Sequence, residues 1–222
     1  KDAPPLVLLH GAGANALAWG ADVPEFARHF RVYAVETPGE PGRSCQERFS
    51  WRGDAVVEWL EDIVGALGID GAAGPAAQVL LAGISQGGYS ALRFASAHPE
   101  RVKALVLLAP GGVSQAKPSF IVRGVTYGLL GKRGRASLMR CIMGDIDGGP
   151  EATQFMHLIF THFRSRMDAP PLLTDGQLQR LTMPVLLMAG ASDNLFDSQK
   201  TIARLQRLVE GADARLLPGA SH

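Results

Sequence analysis

Six short apolar runs, at residues 6–9, 31–35, 79–82, 104–109, 185–189 and 214–217, constrain the fold of this chain more than any other feature. Several are apolar throughout instead of alternating. A strand with one face in water alternates; a strand covered on both faces, as in a parallel sheet flanked by helices, does not. Helical patterns lie between the runs. The clearest covers 52–67: Val56, Val57, Leu60, Ile63, Val64 and Leu67 share one face, while Asp54, Glu58, Glu61 and Asp62 take the other, and Gly68 stops it. A second helix is expected from Ser85 to about His98, where Pro99 blocks continuation. A third spans 199–209, with Ile202, Leu205 and Val209 on one face. Strands alternating with helices imply βαβ units with right-handed crossovers, hence the α/β class with a mostly parallel, doubly wound sheet.

The alternation fails over residues 113–170. No run there reads as a strand. Helical patterns occur around 120–130, 135–143 and 151–166, separated by glycine-rich breaks. The expected organisation is a core of residues 1–112 and 171–222 with a helical cap insertion at 113–170 above the sheet. Thr174 is expected to cap the first helix after the return.

Composition excludes several function classes. The chain has 222 residues, with 22 basic against 21 acidic side chains, so the basic excess of a nucleic-acid footprint is missing. The longest apolar runs are four to six residues, whereas a bilayer span needs roughly 18–20. Cys45 and Cys141 are too few for a disulfide framework or a four-thiolate zinc site, and read as free thiols. His157 and His162 are five apart, about 140° around a helix, and so do not share a face as zinc ligands would. Asp145 and Asp147 lack the distal glutamate of a calcium loop. The basic cluster at 132–135 reads as a solvated loop. No metal or organic cofactor is expected. No signal or transit sequence is legible, so the expected location is cytoplasmic, with any targeting segment lying outside the boundaries of this chain.

The chemistry is concentrated in four places. Gly83-Ile84-Ser85-Gln86-Gly87 stands where a strand ends and a helix begins, the setting of a nucleophile elbow. A turn this tight leaves no room for side chains two positions before and after the serine, so both are glycine. It projects the Ser85 hydroxyl out of the sheet and points the Gln86 backbone N–H and the helix N-terminus into the same space. Gly88 lets the helix pack closely. His10-Gly11-Ala12-Gly13 follows the first strand, and the Ala12 backbone N–H is the expected second oxyanion donor, with His10 structural. The strand at 185–189 leads into Gly190-Ala191-Ser192-Asp193, which places Asp193 at a strand's carboxyl end. Asp197 is its rival but reads better as a helix N-cap. Of six histidines, only His222 follows Asp193, as the order serine, acid, histidine requires.

This set resembles the α/β-hydrolase superfamily, serine-nucleophile branch. The resemblance rests on Leu6–Gly11, Gly83–Gly88, His98–Val102, Gly190–Asp193 and Pro218–His222. The short insertion and the segment 170–178 look like the small carboxylesterase-type members. The family begins with two further strands, ends with a helix after the histidine, and favours an Asp-x-Pro-Gly-x-Gly-x-Ser loop. The present loop runs Glu36-Thr37-Pro38-Gly39-Glu40-Pro41-Gly42-Arg43-Ser44, with glutamate first and an extra Pro41. The resemblance implies hydrolysis of a small-molecule carboxylic ester by Ser85, Asp193 and His222. The apolar side chains of the insertion (Phe120, Ile121, Leu129, Leu138, Met139, Phe155, Leu158) are expected to line an acyl or alcohol pocket. The same triad also serves cofactor-free haloperoxidases or perhydrolases, carbon–carbon bond hydrolases and hydroxynitrile lyases. A non-hydrolytic protein binding a small signal is a reading of another class.

Overall fold

The computed structural model describes residues 3–69, 78–129 and 168–222, with residues 134, 137, 138, 142, 154, 155, 158, 159, 161–164 and 166. All six expected runs are strands: β1 (Pro5–Leu9), β2 (Arg31–Val35), β3 (Val79–Ile84), β4 (Val102–Leu108), β5 (Val185–Gly190) and β6 (Asp213–Leu217). They form one sheet in the order β2-β1-β3-β4-β5-β6, every neighbouring pair parallel.

Successive strand side chains point to opposite faces, and both faces are apolar here. Val7, Leu9, Leu81, Leu105, Leu107, Val185 and Leu187 join the larger core cluster. Four helices contribute to it: α2 (Ala55–Ala66), α3 (Gln86–Ala97), α5 (Asp175–Gln179) and α6 (Ser198–Leu208). Leu6, Leu8 and Ala82 face the other way, against Trp19, Val23 and Phe26. Those three come from a 3-10 turn (Ala16–Trp19) and the short α1 (Val23–Phe26) that join β1 to β2. Each fully buried aliphatic side chain contributes about 1.5–3 kcal/mol, so the two-sided sheet is the principal source of stability.

The chain passes outward from β1 to β2, then crosses back to place β3 on the other side of β1. Connections leaving the carboxyl ends of β1 and β3 therefore diverge and open a crevice, the position where ligands bind in such sheets.

α4 (Pro118–Leu129) begins the insertion. The Leu173 N–H donates to the Gly112 carbonyl (2.8 Å), so the chain leaves and rejoins the core at one place. Arg204 of α6 holds both ends, donating to the carbonyls of Val113 (2.8 Å) and Leu173 (2.7 Å). Thr174 caps α5 (Asp175–Gln179) in a reciprocal box with Gln177, as its sequence position implied. The helices expected at 135–143 and 151–166 fall mostly outside the described residues, as do Met139, Cys141, Asp145, Asp147 and His157. Phe120, Leu138 and Phe155 are half-buried. Ile121, Leu129 and Leu158, expected among the lining of an acyl or alcohol pocket, are 56%, 85% and 50% exposed. Cys45 is free and exposed. Among the described residues no helix is long and apolar enough to cross a membrane, and no cluster of three or more metal-ligating side chains occurs.

Candidate active site

Ser85 joins β3 to α3 with φ 53° and ψ −110°. A non-glycine residue in this region carries about 1–3 kcal/mol of strain and persists only when its surroundings fix it. Three backbone bonds do so. Its N–H donates to the Leu108 carbonyl (2.9 Å), and its own carbonyl accepts from Tyr89 (3.0 Å) and Gly111 (2.9 Å). The flanking glycines are sterically required. A Cβ on Gly83 would lie 2.4 Å from the Gly87 carbonyl oxygen, and one on Gly87 would lie 2.2 Å from that of Leu9. A Cβ on Gly88 would meet that of Pro110 at 2.8 Å, so this glycine admits the chain leaving β4.

Asp193 and His222 converge on this turn. His222 Nε2 is 2.8 Å from Ser85 Oγ, and His222 Nδ1 is 2.8 Å from Asp193 Oδ2. Asp193 is buried, and its other oxygen accepts from the backbone N–H groups of Leu195 (2.6 Å) and Phe196 (3.0 Å). Burial alone pushes the Asp193 carboxyl up, but its hydrogen bond to His222 and those two N–H groups hold it below the usual value. A folded-state value depressed in this way adds stability above the ordinary carboxylate range, and that stability is lost as pH falls through the depressed value. An ionised carboxylate only accepts, so the His222 proton sits on Nδ1 and Nε2 is left to accept from the Ser85 hydroxyl.

The loop after β1 meets the same turn, since a Cβ on Gly11 would be 3.5 Å from that of Ser85. His10 is fully buried and structural. The Thr37 N–H donates to its Nε2 (3.0 Å), so its Nδ1 donates to the Gly11 carbonyl (2.8 Å), and burial lowers its pKa. Asp197 does not reach His222. It caps α6, its carboxylate accepting from the Lys200 N–H at 3.1 Å.

A sequence profile of the Alpha/beta hydrolase family matches residues 6–222. The chain belongs to that family. This α/β hydrolase is similar to carboxylesterase YbfK of Bacillus subtilis (strain 168), at 29% identity over 232 residues, 100% of this chain and 75% of that protein. The crystal structure of carboxylesterase CesB (YbfK) from Bacillus subtilis superimposes with a TM-score of 0.85 at 28% identity, covering 100% of this chain and 78% of that one. The naproxen esterase (carboxylesterase NP) from Bacillus subtilis gives 0.83 at 27% identity, with the same 100% and 78% coverage.

Several residues of this α/β hydrolase that shape the site carry no obvious sequence signal. Gly190 ends β5, and a Cβ there would lie 2.1 Å from the Ser221 carbonyl oxygen and 2.4 Å from that of Ala220. Only glycine lets the loop bearing His222 settle against the acid loop, where the Ser192 N–H donates to the Ala220 carbonyl (2.9 Å). The Phe196 ring packs edge-on against the His222 imidazole, centroids 5.4 Å apart. The Lys117 ammonium donates to the Asp193 carbonyl (2.6 Å), and its backbone N–H to that of Leu195 (2.8 Å), tying the start of the insertion to the acid loop. Glu40, in the loop with the unusual glutamate–proline sequence, is buried, and its carboxylate accepts from the Gly13 N–H (2.8 Å) and the Gln86 side-chain amide (3.1 Å). A charged residue with no apolar period around it reads as loop surface in sequence, which is why it escapes detection there.

Proposed function

We propose that this α/β hydrolase cleaves small-molecule carboxylic esters through an acyl-enzyme on Ser85. The observation that carries the reading is the continuous chain of contacts from Asp193 through His222 to Ser85, with His222 held in the tautomer that accepts the serine proton. The resemblance to carboxylesterases over the whole chain supports the same reaction class. In this mechanism Ser85 Oγ attacks the ester carbonyl while His222 Nε2 takes its proton. The tetrahedral oxyanion is held by the backbone N–H groups of Ala12 and Gln86. The Gln86 N–H heads α3 and has no partner within the helix, so it adds the positive end of the helix dipole. His222 returns the proton to the leaving alkoxide oxygen, which departs as alcohol. Water, deprotonated by His222, then adds to the acyl carbonyl, and the collapse of that second intermediate releases the carboxylic acid and restores Ser85.

We assign residues 113–170 as a cap over the site. Support comes from its single departure point and from the Ile142 carbonyl, which accepts from the backbone N–H of His222 (3.3 Å). Half-buried Phe120 and Phe155 are its candidates for an apolar acyl or alcohol subsite.

Turnover of 4-nitrophenyl esters of graded acyl length tests the function. A histidine base must be neutral to act, so kcat/KM is expected to fall toward acid pH. Asp193, held below the usual carboxylate value, contributes nothing to that fall until the pH is lower still. A rate flat from about pH 5 to 9 contradicts a histidine base. Phe120→Ala and Phe155→Ala test the cap: each is expected to shift the preferred acyl length, and an unchanged profile in both, with lowered stability, reduces the insertion to packing.

A further inference from the structure

We propose that Glu40 is a positioning residue that braces the two halves of the oxyanion hole against each other. The inference rests on the function proposed above and deepens it. The two donors come from separate loops: Ala12 follows β1, and Gln86 follows β3. Glu40 belongs to a third loop, after β2, and bonds to both of the others. Oε2 accepts from the Gly13 N–H, one residue beyond Ala12; Oε1 accepts from the side chain of Gln86 itself. One carboxylate therefore links the two donor loops and sets their spacing.

The burial of Glu40 sets this arrangement apart from incidental packing. Glu40 is 7% exposed, and among the described residues no lysine or arginine forms an ion pair with it. Burying a carboxylate costs several kcal/mol unless it is hydrogen-bonded. Here both oxygens are used, and a charged acceptor makes bonds roughly twice as strong as a neutral one. What they hold also needs holding. Gly13 has φ 69°, a left-handed turn that glycine visits without preference. Bonding its N–H fixes the Ala12–Gly13 peptide plane and hence the backbone on which the Ala12 donor sits. On the other side, the amide of Gln86 is itself buried, so its bond to Glu40 anchors the first residue of α3. The loop around Glu40 is in turn fixed by Thr37, whose N–H is bound by His10 (3.0 Å) and whose carbonyl accepts from the Glu40 N–H (3.2 Å).

The test compares Glu40→Ala with Glu40→Gln in the full chain. Removing the brace lets a donor drift, and misplacement on the ångström scale costs about 10²-fold. Glu40→Ala is therefore expected to lower kcat by about 10²-fold while KM changes less than about threefold. Affinity for an aryl trifluoromethyl ketone, which forms a hemiketal oxyanion on Ser85, should fall in step, and affinity for the matching non-fluorinated ketone should not. Hydrogen exchange at the Gly13 amide should accelerate. Glu40→Gln should recover most of kcat and of the protection, because its carboxamide can accept from Gly13 and donate to a turned Gln86 amide. Should Glu40→Ala not fold, Gln86→Met removes the same bond from the other side, keeps the backbone donor, and is expected to show the same split between the two ketones. Gly13 exchange unchanged in Glu40→Ala, kcat within about threefold of wild type, or equal losses for both ketones overturns the brace. A wild-type protein that turns over no ester refutes the proposed function instead, and Gly13 exchange still decides whether Glu40 is a brace.

Discussion

Ser85→Ala is expected to lower kcat on an activated ester by about 10⁴–10⁶-fold and to leave the fold intact. The size of the loss follows from the role: without Oγ there is no bond to the acyl group, and His222 has only water to activate. The fold should survive because the strained turn is set by its backbone bonds to Leu108, Tyr89 and Gly111 and by the glycines at 83 and 87. None of these involves the hydroxyl. A fluorophosphonate should modify Ser85 in the wild type and nothing in the variant. Intact-mass and peptide measurements read both outcomes. A label on another serine, or an alanine variant that keeps its rate, removes Ser85 from the mechanism.

Asp193→Asn is expected to cost about 10⁴-fold in kcat, and Asp197→Asn less than about threefold. The surroundings of Asp193 dictate how an asparagine would sit. The N–H groups of Leu195 and Phe196 both point at Oδ1, so the amide oxygen must take that place. The amide nitrogen then faces His222 Nδ1 where Oδ2 stood. A donor in that position holds the imidazole with its proton on Nε2, the tautomer that cannot accept from Ser85. Asparagine at 197 keeps an oxygen for the Lys200 N–H and remains a good helix cap. Kinetics on the two variants, with thermal unfolding as the check on folding, gives the comparison. The reverse ranking would move the acid to Asp197.

Much of this molecule was legible without coordinates. The strands were readable because both sheet faces are covered: Leu6 and Leu8 serve one core cluster, Val7 and Leu9 the other, and the sequence is apolar at each. Ser85 was readable because the elbow imposes glycines on its neighbours at fixed spacing. Asp193 and His222 were readable by elimination, from strand ends and chain order. The insertion was less legible. Its apolar side chains gave a helical period but no direction, and Ile121, Leu129 and Leu158 prove exposed. A period places residues on a common helical face without saying what that face meets.

The sequence by itself determined the class of sheet, the position of the tight turn that carries Ser85, and the chain order of Ser85, Asp193 and His222. These depend on interactions within a few residues, or on the chain order of the α/β hydrolase family. The tertiary structure alone decided what aims those groups. Glu40 reaches Gly13 across 27 positions and Gln86 across 46. Gly190 makes room for the loop before His222, and Lys117 reaches Asp193 across 76 positions. Such pairs meet because β1 lies between β2 and β3 and because β5 lies beside β4 and β6. Strand order is a property of the assembled sheet. No local pattern of side chains records it, so a buried carboxylate and a glycine that fix the geometry of the site look, in the sequence, like ordinary loop residues.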